Sequence, residues 1–496
     1  MLNEILSAAE LVFTLENIIV MVAGIWFGVI VGSIPGMTGT MAVTLALPFT
    51  FYMPPITSIL LLVALYKGST YGASISAILI KTPGTASAAC TVLDGYPLAQ
   101  QGKANTALKA ALYSSCIGDF ISNIALIFLA IPLAAYALLI GPPEYFLIMV
   151  IALFIISGVS EGNLRKGILS ACLGLILATV GQDIYGSYRF AFNENLQSKL
   201  NVVPVLIGLF AIPEVLKLIM NKGEGASPVM KVKKTTFSLR DLKSSSKAIL
   251  KGSTIGVVLG AIPGIGPASA AFFSYSEAKR SSKNPEEFGH GSIEGIAASE
   301  SANNGCCGAT MIPLLALGIP GDVITGVMLG AFMIHGINPG PLLFETNINL
   351  IYSLFIGILL SSFILFFAGS ITARMFSHIV KLPKHYLFPC VLVLCLFGIY
   401  SVTNNTFDIA VLLVMGGLGY FMMSAKIPTA PFLIAFIIGP MLEENLRRSL
   451  SISRGELGIF TESGISKGLV FVIVCFVLIS IIKLIKHRSQ KQKVTL

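Results

Sequence analysis

The residues best suited to hold a small charged solute gather at four Pro-Gly pairs: Pro35-Gly36, Pro83-Gly84, Pro263-Gly264 and Pro320-Gly321. Thr38 follows the first pair. Thr82 and Thr85 flank the second, with Lys67, Ser69 and Ser74 on the run leading up to it. Asn303, Asn304 and Thr310 precede the fourth, and Asp322 follows it directly. Hydroxyls and amides of this kind donate to a carboxylate or coordinate sodium. A Pro-Gly break in an apolar helix frees backbone groups, so that a half-helix N-terminus favours an anion and bared carbonyls favour a cation.

These residues form the candidate substrate site: Pro35, Gly36, Thr38, Lys67, Ser69, Thr82, Pro83, Gly84, Thr85, Pro263, Gly264, Asn303, Asn304, Pro320 and Gly321. Ser74, Thr310, Asp119 and Asp322 are candidates for ion coupling, since carboxylates at membrane depth are expensive and purposeful. A sodium ion is placed near Gly84 and Gly321. Each assignment has a plainer rival. Small hydroxyl residues also let helices pack closely, Lys67 at a span end would snorkel, and Asp322 suits a helix cap. Glu294 and Glu300 follow the polar loop from Ser281 to Gly291, which places them on a partly wet helix facing solvent or a partner.

The elements that carry these residues must be membrane helices. With 55% hydrophobic residues, 11% charged residues and a mean hydropathy of +0.84, the chain has too little polar surface to coat a water-soluble particle. Apolar runs such as 17–34, 202–219, 351–369 and 468–485 are near bilayer length and lack the short alternation of a β-barrel, giving roughly ten to twelve spans. The 8 Cys contain no CxxC and the 5 His are scattered, so no disulfide framework, zinc site, haem or other resident cofactor is expected. No HExxH occurs, which argues against a zinc hydrolase, and no GxxxxGK[ST] loop is present for ATP. The net charge of +9 lies in short loops and reads as topology, not nucleic-acid binding. Residues 1–16 carry Glu4, Glu10 and Glu16 and no basic residue, unlike a signal peptide.

Two phrases, GVIVGSIPG from Gly28 and GVVLGAIPG from Gly256, reveal an internal repeat. After each come a loop, a segment rich in Gly, Ala and Ser or Thr, the second Pro-Gly pair, and a Gly-Pro loop (DGYPLAQQG from Asp94, HGINPGPLLFE from His335). The segment from Gly308 to Pro320 is one residue longer than that from Gly72 to Pro83.

Matched loops carry opposite charge bias. Lys222 to Lys251 precede the second copy where the first has no basic residue, whereas Lys103 and Lys109 follow DGYP where nothing basic lies between His335 and Asn347. The halves are therefore read as inverted in the membrane, with the N-terminus external and the C-terminus cytoplasmic. Arg447, Arg448 and Arg454 fall outside by this count, accompanied by Glu443, Glu444 and Glu456. The expected layout is a first repeat at 1–221, a basic linker at 222–250, a second repeat at 251–442, and an external loop, last span and basic tail at 443–496. The fold class is all-α polytopic, with Pro-Gly-broken helices or re-entrant hairpins and two inverted-topology repeats, the architecture of secondary transporters.

Three stretches also carry a likeness: GxxxGxxPG from Gly28, the run from Tyr71 through TPG and DGYPLA to Leu108, and LGIPGDVITGVMLGAFMIHGINPGP from Leu317. In these the chain resembles the large membrane subunit of the tripartite tricarboxylate transporter family. The resemblance implies a multi-pass permease of the bacterial inner membrane that imports carboxylated solutes. It further implies a small membrane subunit and an extracytoplasmic solute-binding protein as partners, and drive by a Na⁺ or H⁺ gradient. A stand-alone transporter for another small anion or metabolite is the alternative, and a channel is a more distant one.

Overall fold

The computed structural model describes residues 2–159, 164–183, 185–220, 237–379 and 384–478. Most of the basic linker and the basic tail lie outside the described residues.

The chain begins with α1 (Leu2–Val12) and α2 (Leu15–Ser33), which Thr14 separates by capping α2 through the Asn17 N–H. Ile34, placed before Pro35, takes an extended conformation, and Gly36 turns left-handed at φ 86°, so the helix stops at the first break. Thr38 caps α3 (Gly39–Thr50), and Pro54-Pro55 opens α4 (Pro55–Ile80). Beyond the second break come α5 (Ala88–Leu98), a π turn at Ala99–Lys103, and α6 (Ala104–Ala137). Next are α7 (Pro142–Val159), α8 (Leu164–Ala178), a two-residue hairpin pairing Gly181 with Arg189, and α9 (Val202–Met220).

A capping box between Ser238 and Asp241 starts α10 (Leu239–Gly260), so the end of the stretch read as linker is already helix. There follow α11 (Gly266–Ser281), α12 (Ile293–Ala309), α13 (Met311–Leu317), α14 (Val323–Ile334), α15 (Leu343–Thr346) and α16 (Ile348–Ile379). The described chain closes with α17 (Lys384–Thr403), α18 (Thr406–Ser424), α19 (Thr429–Ile452) and α20 (Gly464–Leu478). Among the described residues 5 helices are long and apolar enough to cross a membrane by length and composition, and shorter apolar helices accompany them. The protein is an all-α polytopic membrane protein.

Packing divides the chain into two units, one of Met1–Ala135 with Asn201–Ala425, the other of Tyr136–Leu200 with Lys426–Leu496. This division crosses the sequence boundary between the copies. In the second unit α19 packs on α7 and α8. There Arg447 pairs with Glu443 at 2.7 Å and Asp183 at 3.0 Å, and Arg448 pairs with Glu444, so two of the arginines that stood against the loop-charge pattern have acidic partners.

In the first unit, one contact register occurs twice. Gly24 meets Leu61 and Ala64, Gly28 meets Leu65 and Gly68, and Gly32 meets Ser69, which seats α2 on α4. Gly252 meets Ala298 and Ser301, Gly256 meets Ala302 and Gly305, and Gly260 meets Cys306, which seats α10 on α12 in the same spacing. The second breaks match as well: Lys81 is left-handed at φ 59° two residues before Pro83, and Gly318 is left-handed at φ 72° two residues before Pro320. In this register Ser69 to Pro83 and Cys306 to Pro320 have the same length, so Ala309 and not Gly308 stands where Gly72 does, and the second copy carries no extra residue; its helix is instead interrupted at Thr310, just before Pro313, which has no N–H to offer the Ala309 carbonyl.

Candidate functional site

Helix α4 threads the centre of the first unit, buried almost throughout from Thr57 to Ile80, and its polar side chains meet three buried polar clusters. At the first, Lys67 Nζ lies 2.9 Å from Asp119 Oδ2 of α6, 2.7 Å from the Ile358 carbonyl and 3.3 Å from Ser362 Oγ, both on α16. Its three N–H donors are thus all engaged, and the snorkelling alternative does not hold. Ser362 Oγ donates to the same Asp119 oxygen at 2.6 Å, and Asn123 Nδ2 to Ser362 Oγ at 2.8 Å.

At the second cluster, Glu300 of α12 receives hydrogen bonds from Ser74 of α4 at 2.6 Å, Thr91 of α5, and Ser115 of α6 at 2.8 Å. Asn304 donates to Ser115 Oγ at 2.8 Å. Glu300 is fully buried, which overturns its reading as a wet or partner-facing residue; Glu294 is only part-buried and accepts from Ser282 at 2.6 Å. The physical reason is that α12 is enclosed by α4, α5, α10 and α11, so its hydrophilic face meets hydroxyls of other helices in place of water.

At the third cluster, Asp322 accepts from the Thr325 N–H at 2.8 Å in a capping box at the start of α14, and Tyr66 donates to its other oxygen at 2.6 Å. Asp322 is therefore a cap, and one tied across to α4.

The breaks approach one another in pairs. Gly84 packs against the Gly32 carbonyl, the Gly264 N–H donates to the Gly321 carbonyl at 2.7 Å, and a side chain at Gly39 would touch Ser69 and, at 3.4 Å, Ile324 just past the fourth break. Four helices, α3, α5, α11 and α14, begin a few residues beyond the four breaks. Pro35, Gly36, Pro263 and Gly264 are half-buried, whereas Gly84, Pro320 and Gly321 are buried. Thr38 caps α3, Thr82 Oγ1 donates to the Ile80 carbonyl at 3.2 Å, and Thr85 accepts from the Ala88 N–H at 3.3 Å. Ser69 and Thr310 bond back to carbonyls of their own helices, those of Tyr66 and Cys307. Among the described residues, fully buried Asn303 has no partner for either amide atom, and Asp119 Oδ1, Asn123 Oδ1 and Asn304 Oδ1 likewise have none. Buried polar atoms of this kind each cost about 1–3 kcal/mol and are retained where a site uses them. A cavity of about 880 Å³ opens elsewhere, between the start of α6, the N-terminal turns of α10 and the 284–294 loop, and none of the residues beside the breaks line it. Among the described residues no cluster of three or more His, Cys, Asp or Glu could hold a metal ion.

The model of the tripartite tricarboxylate transporter TctA family matches residues 18–434. The chain belongs to that family. It is thus a permease component of a tricarboxylate transporter. It is 35% identical over 484 residues to an uncharacterized 52.8 kDa protein in the TAR-I ttuC′ 3′ region of Agrobacterium vitis, covering 97% of this chain and 96% of the relative. It is 37% identical over 236 residues to a protein in the TAR-II ttuC′ 3′ region of the same organism, covering 47% of this chain and 98% of that relative. No solved structure matches.

Within this TctA-family chain, sequence reasoning passed over Tyr66, Ser115, Asn123 and Ser362. A signal existed for two of them: Ser115, Asp119 and Asn123 recur every fourth residue, which puts one polar stripe along an otherwise apolar α6. Nothing in the sequence marks Ser362 among the several serines of α16.

Proposed function

We propose that this chain is the permease of a binding-protein-dependent importer for carboxylated organic solutes, driven by a Na⁺ or H⁺ gradient and working by alternating access between two inverted repeats. One observation carries the reading. The packing between the copies is reciprocal: α6 of the first copy lies on α12 of the second through Gly118 and Ser301, and α16 of the second lies on α4 of the first through Gly357 and Leu60. In the same way α5 contacts α11 and α12, while α14 contacts α3 and α4. An exchange of this kind is what a pseudo-two-fold axis produces, and in inverted-repeat transporters the substrate site lies at that axis near the bilayer midplane.

The solute's carboxylates are met by the N-terminal ends of the half-helices that follow the breaks, with Thr38, Thr82, Thr85 and Asn303 as side-chain donors, while the Asn304 amide is taken up by Ser115 and Glu300. The Lys67 charge is spent on Asp119, so this pair holds the helices around the site together and leaves solute neutralisation to the coupling cation. That neutralisation is needed because moving an anion inward against an interior-negative potential costs about 2.3 kcal/mol per charge per 100 mV. The membrane is the bacterial inner membrane, with a small membrane subunit beside the chain and a loaded extracytoplasmic binding protein docking outside. The test is uptake of labelled di- and tricarboxylates into cells carrying all three components, with and without each gradient. Saturable uptake that disappears without the binding protein supports the reading; uptake that persists with both gradients collapsed overturns the driven mechanism.

A further inference from the structure

Glu300 differs from the other buried acids around it in how its carboxylate is held. Asp94 accepts from the backbone N–H groups of Gly289, Gly291 and Ser292 at 2.7–3.0 Å and from the Tyr275 hydroxyl. Asp119 is paired with an ammonium, and Asp322 accepts from a backbone N–H in a helix cap. Backbone N–H groups and ammonium groups only donate, so each of those three carboxylates has at least one partner that cannot turn to accept a carboxyl proton. The donors to Glu300 are hydroxyls of Ser74, Thr91 and Ser115, each of which can turn from donor to acceptor, and no Lys, Arg or His forms an ion pair with it among the described residues. Beside it the Asn304 amide has Nδ2 3.5 Å from Glu300 Oε2 while its Oδ1 has no partner, an acceptor that an amide rotation would bring to a carboxyl proton.

We infer that Glu300 is the site at which this transporter takes up its coupling ion and that the ion is a proton. The hydroxyl oxygens stand at hydrogen-bond distance from the carboxylate, which leaves no space for a sodium ion between them, whereas a proton needs only that one hydroxyl or the amide reorient. The step is a simple balance: a proton from water binds Glu300, its charge is removed, and the proton leaves to the other side with the solute. The cage joins α4, α5 and α6 of the first copy to α12 of the second, so protonation changes the bonds that tie the copies together.

The charged and titratable groups nearby do not compete for this role. Tyr71 of α4 and Cys90 of α5 are a phenol and a thiol, groups that carry no charge near neutral pH. On α4 and α6, Lys67 and Asp119 neutralise each other, with Cys116 between Ser115 and Asp119; on α5 and α11, Asp94 and Tyr275 are bonded together. The face of α10 toward α12 is made by Gly252, Gly256 and Gly260, and α13 carries no ionisable residue.

The inference rests on the importer reading above and is tested in proteoliposomes holding the chain with its two partner components. Labelled citrate, or whichever acid of the di- and tricarboxylate panel the wild type carries, is the probe. Each proton coupled to 100 mV is worth about fifty-fold in accumulation. Glu300→Gln is expected to lose that driven accumulation while still exchanging solute at equal concentrations on the two sides, and its exchange rate is expected to become independent of pH. Ser74→Ala and Thr91→Val each remove a donor to the ionised carboxylate, so the wild-type pH midpoint of uptake should move to more alkaline values in both. These two variants decide the matter even where the Gln variant does not assemble. Proton-driven accumulation intact in Glu300→Gln, or midpoints unmoved in both hydroxyl variants, overturns the assignment. Wild-type uptake driven by sodium and indifferent to pH overturns it too and leaves the importer reading standing, whereas no wild-type uptake of any panel acid removes both.

Discussion

Lys67 Nζ sits 2.9 Å from Asp119 Oδ2 with the two side chains 2% and 0% exposed, so this ion pair is sealed inside the first unit. A pair so buried contributes modestly when intact, yet removal of one member strands the other charge. Lys67→Met or Asp119→Leu alone is expected to lower stability by about 3–5 kcal/mol, and the double replacement to recover most of it. Thermal unfolding of the purified variants in detergent measures this, and a double variant as unstable as the singles would show that the pair does more than balance charge.

Close seating of α2 on α4 and of α10 on α12 gives a second expectation. A methyl at Gly28 would meet the Leu65 carbonyl at 2.6 Å, and one at Gly256 would meet the Ala302 carbonyl at 2.5 Å. Backbone does not yield as a side-chain tip does, so Gly28→Ala and Gly256→Ala are each expected to cost about 1–3 kcal/mol. Gly417, on the exposed side of α18 with nothing within 4 Å, is the control. There Ala should gain about 0.5–1 kcal/mol from helix propensity, read in the same unfolding assay.

Matched left-handed positions before the second breaks provide a third. Lys81 takes up at φ 59° a conformation that Gly318 takes up at φ 72° without a Cβ. Lys81→Gly is expected to stabilise by about 1 kcal/mol, and Gly318→Ala to destabilise by about 1–2 kcal/mol. Equal and opposite shifts in unfolding temperature would support a shared backbone at the two sites; a neutral Gly318→Ala would count against it.

The cap at α14 gives a fourth. Asp322→Ala removes both the Thr325 N–H acceptor and the Tyr66 partner, with an expected loss of about 0.5–2 kcal/mol from the cap alone. Tyr66→Phe breaks only the bond between α4 and Asp322, so it should be milder in unfolding. A Tyr66→Phe change as severe as Asp322→Ala would mean that the phenol bond, not the cap, holds that end of α14.

What the sequence revealed and concealed follows from the range of each signal. Helical class, the stops at Pro35-Gly36 and Pro263-Gly264, and the cap at Asp322 were all legible, because a cap or a proline acts within one turn of itself. The repeated register of Gly24, Gly28 and Gly32 was legible as a phrase, though not which residues it would touch. Glu300 was misread because its surroundings come from Ser74, Thr91 and Ser115, far away along the chain, while its own helix reads as polar. Lys67 was left undecided for the same reason: its carboxylate is on α6 and its carbonyl acceptor on α16.

That distance also has a meaning during synthesis. Lys67 emerges from the ribosome well before Asp119 and far before Ile358 and Ser362, so α4 enters the bilayer carrying a charge whose partners do not yet exist. An unpaired Lys at the centre of a span opposes insertion by about 2.5–3.5 kcal/mol. Helix α4 therefore depends on α6 arriving soon after it, and the membrane integration of this early helix is completed only when α16, made late, closes over the ammonium.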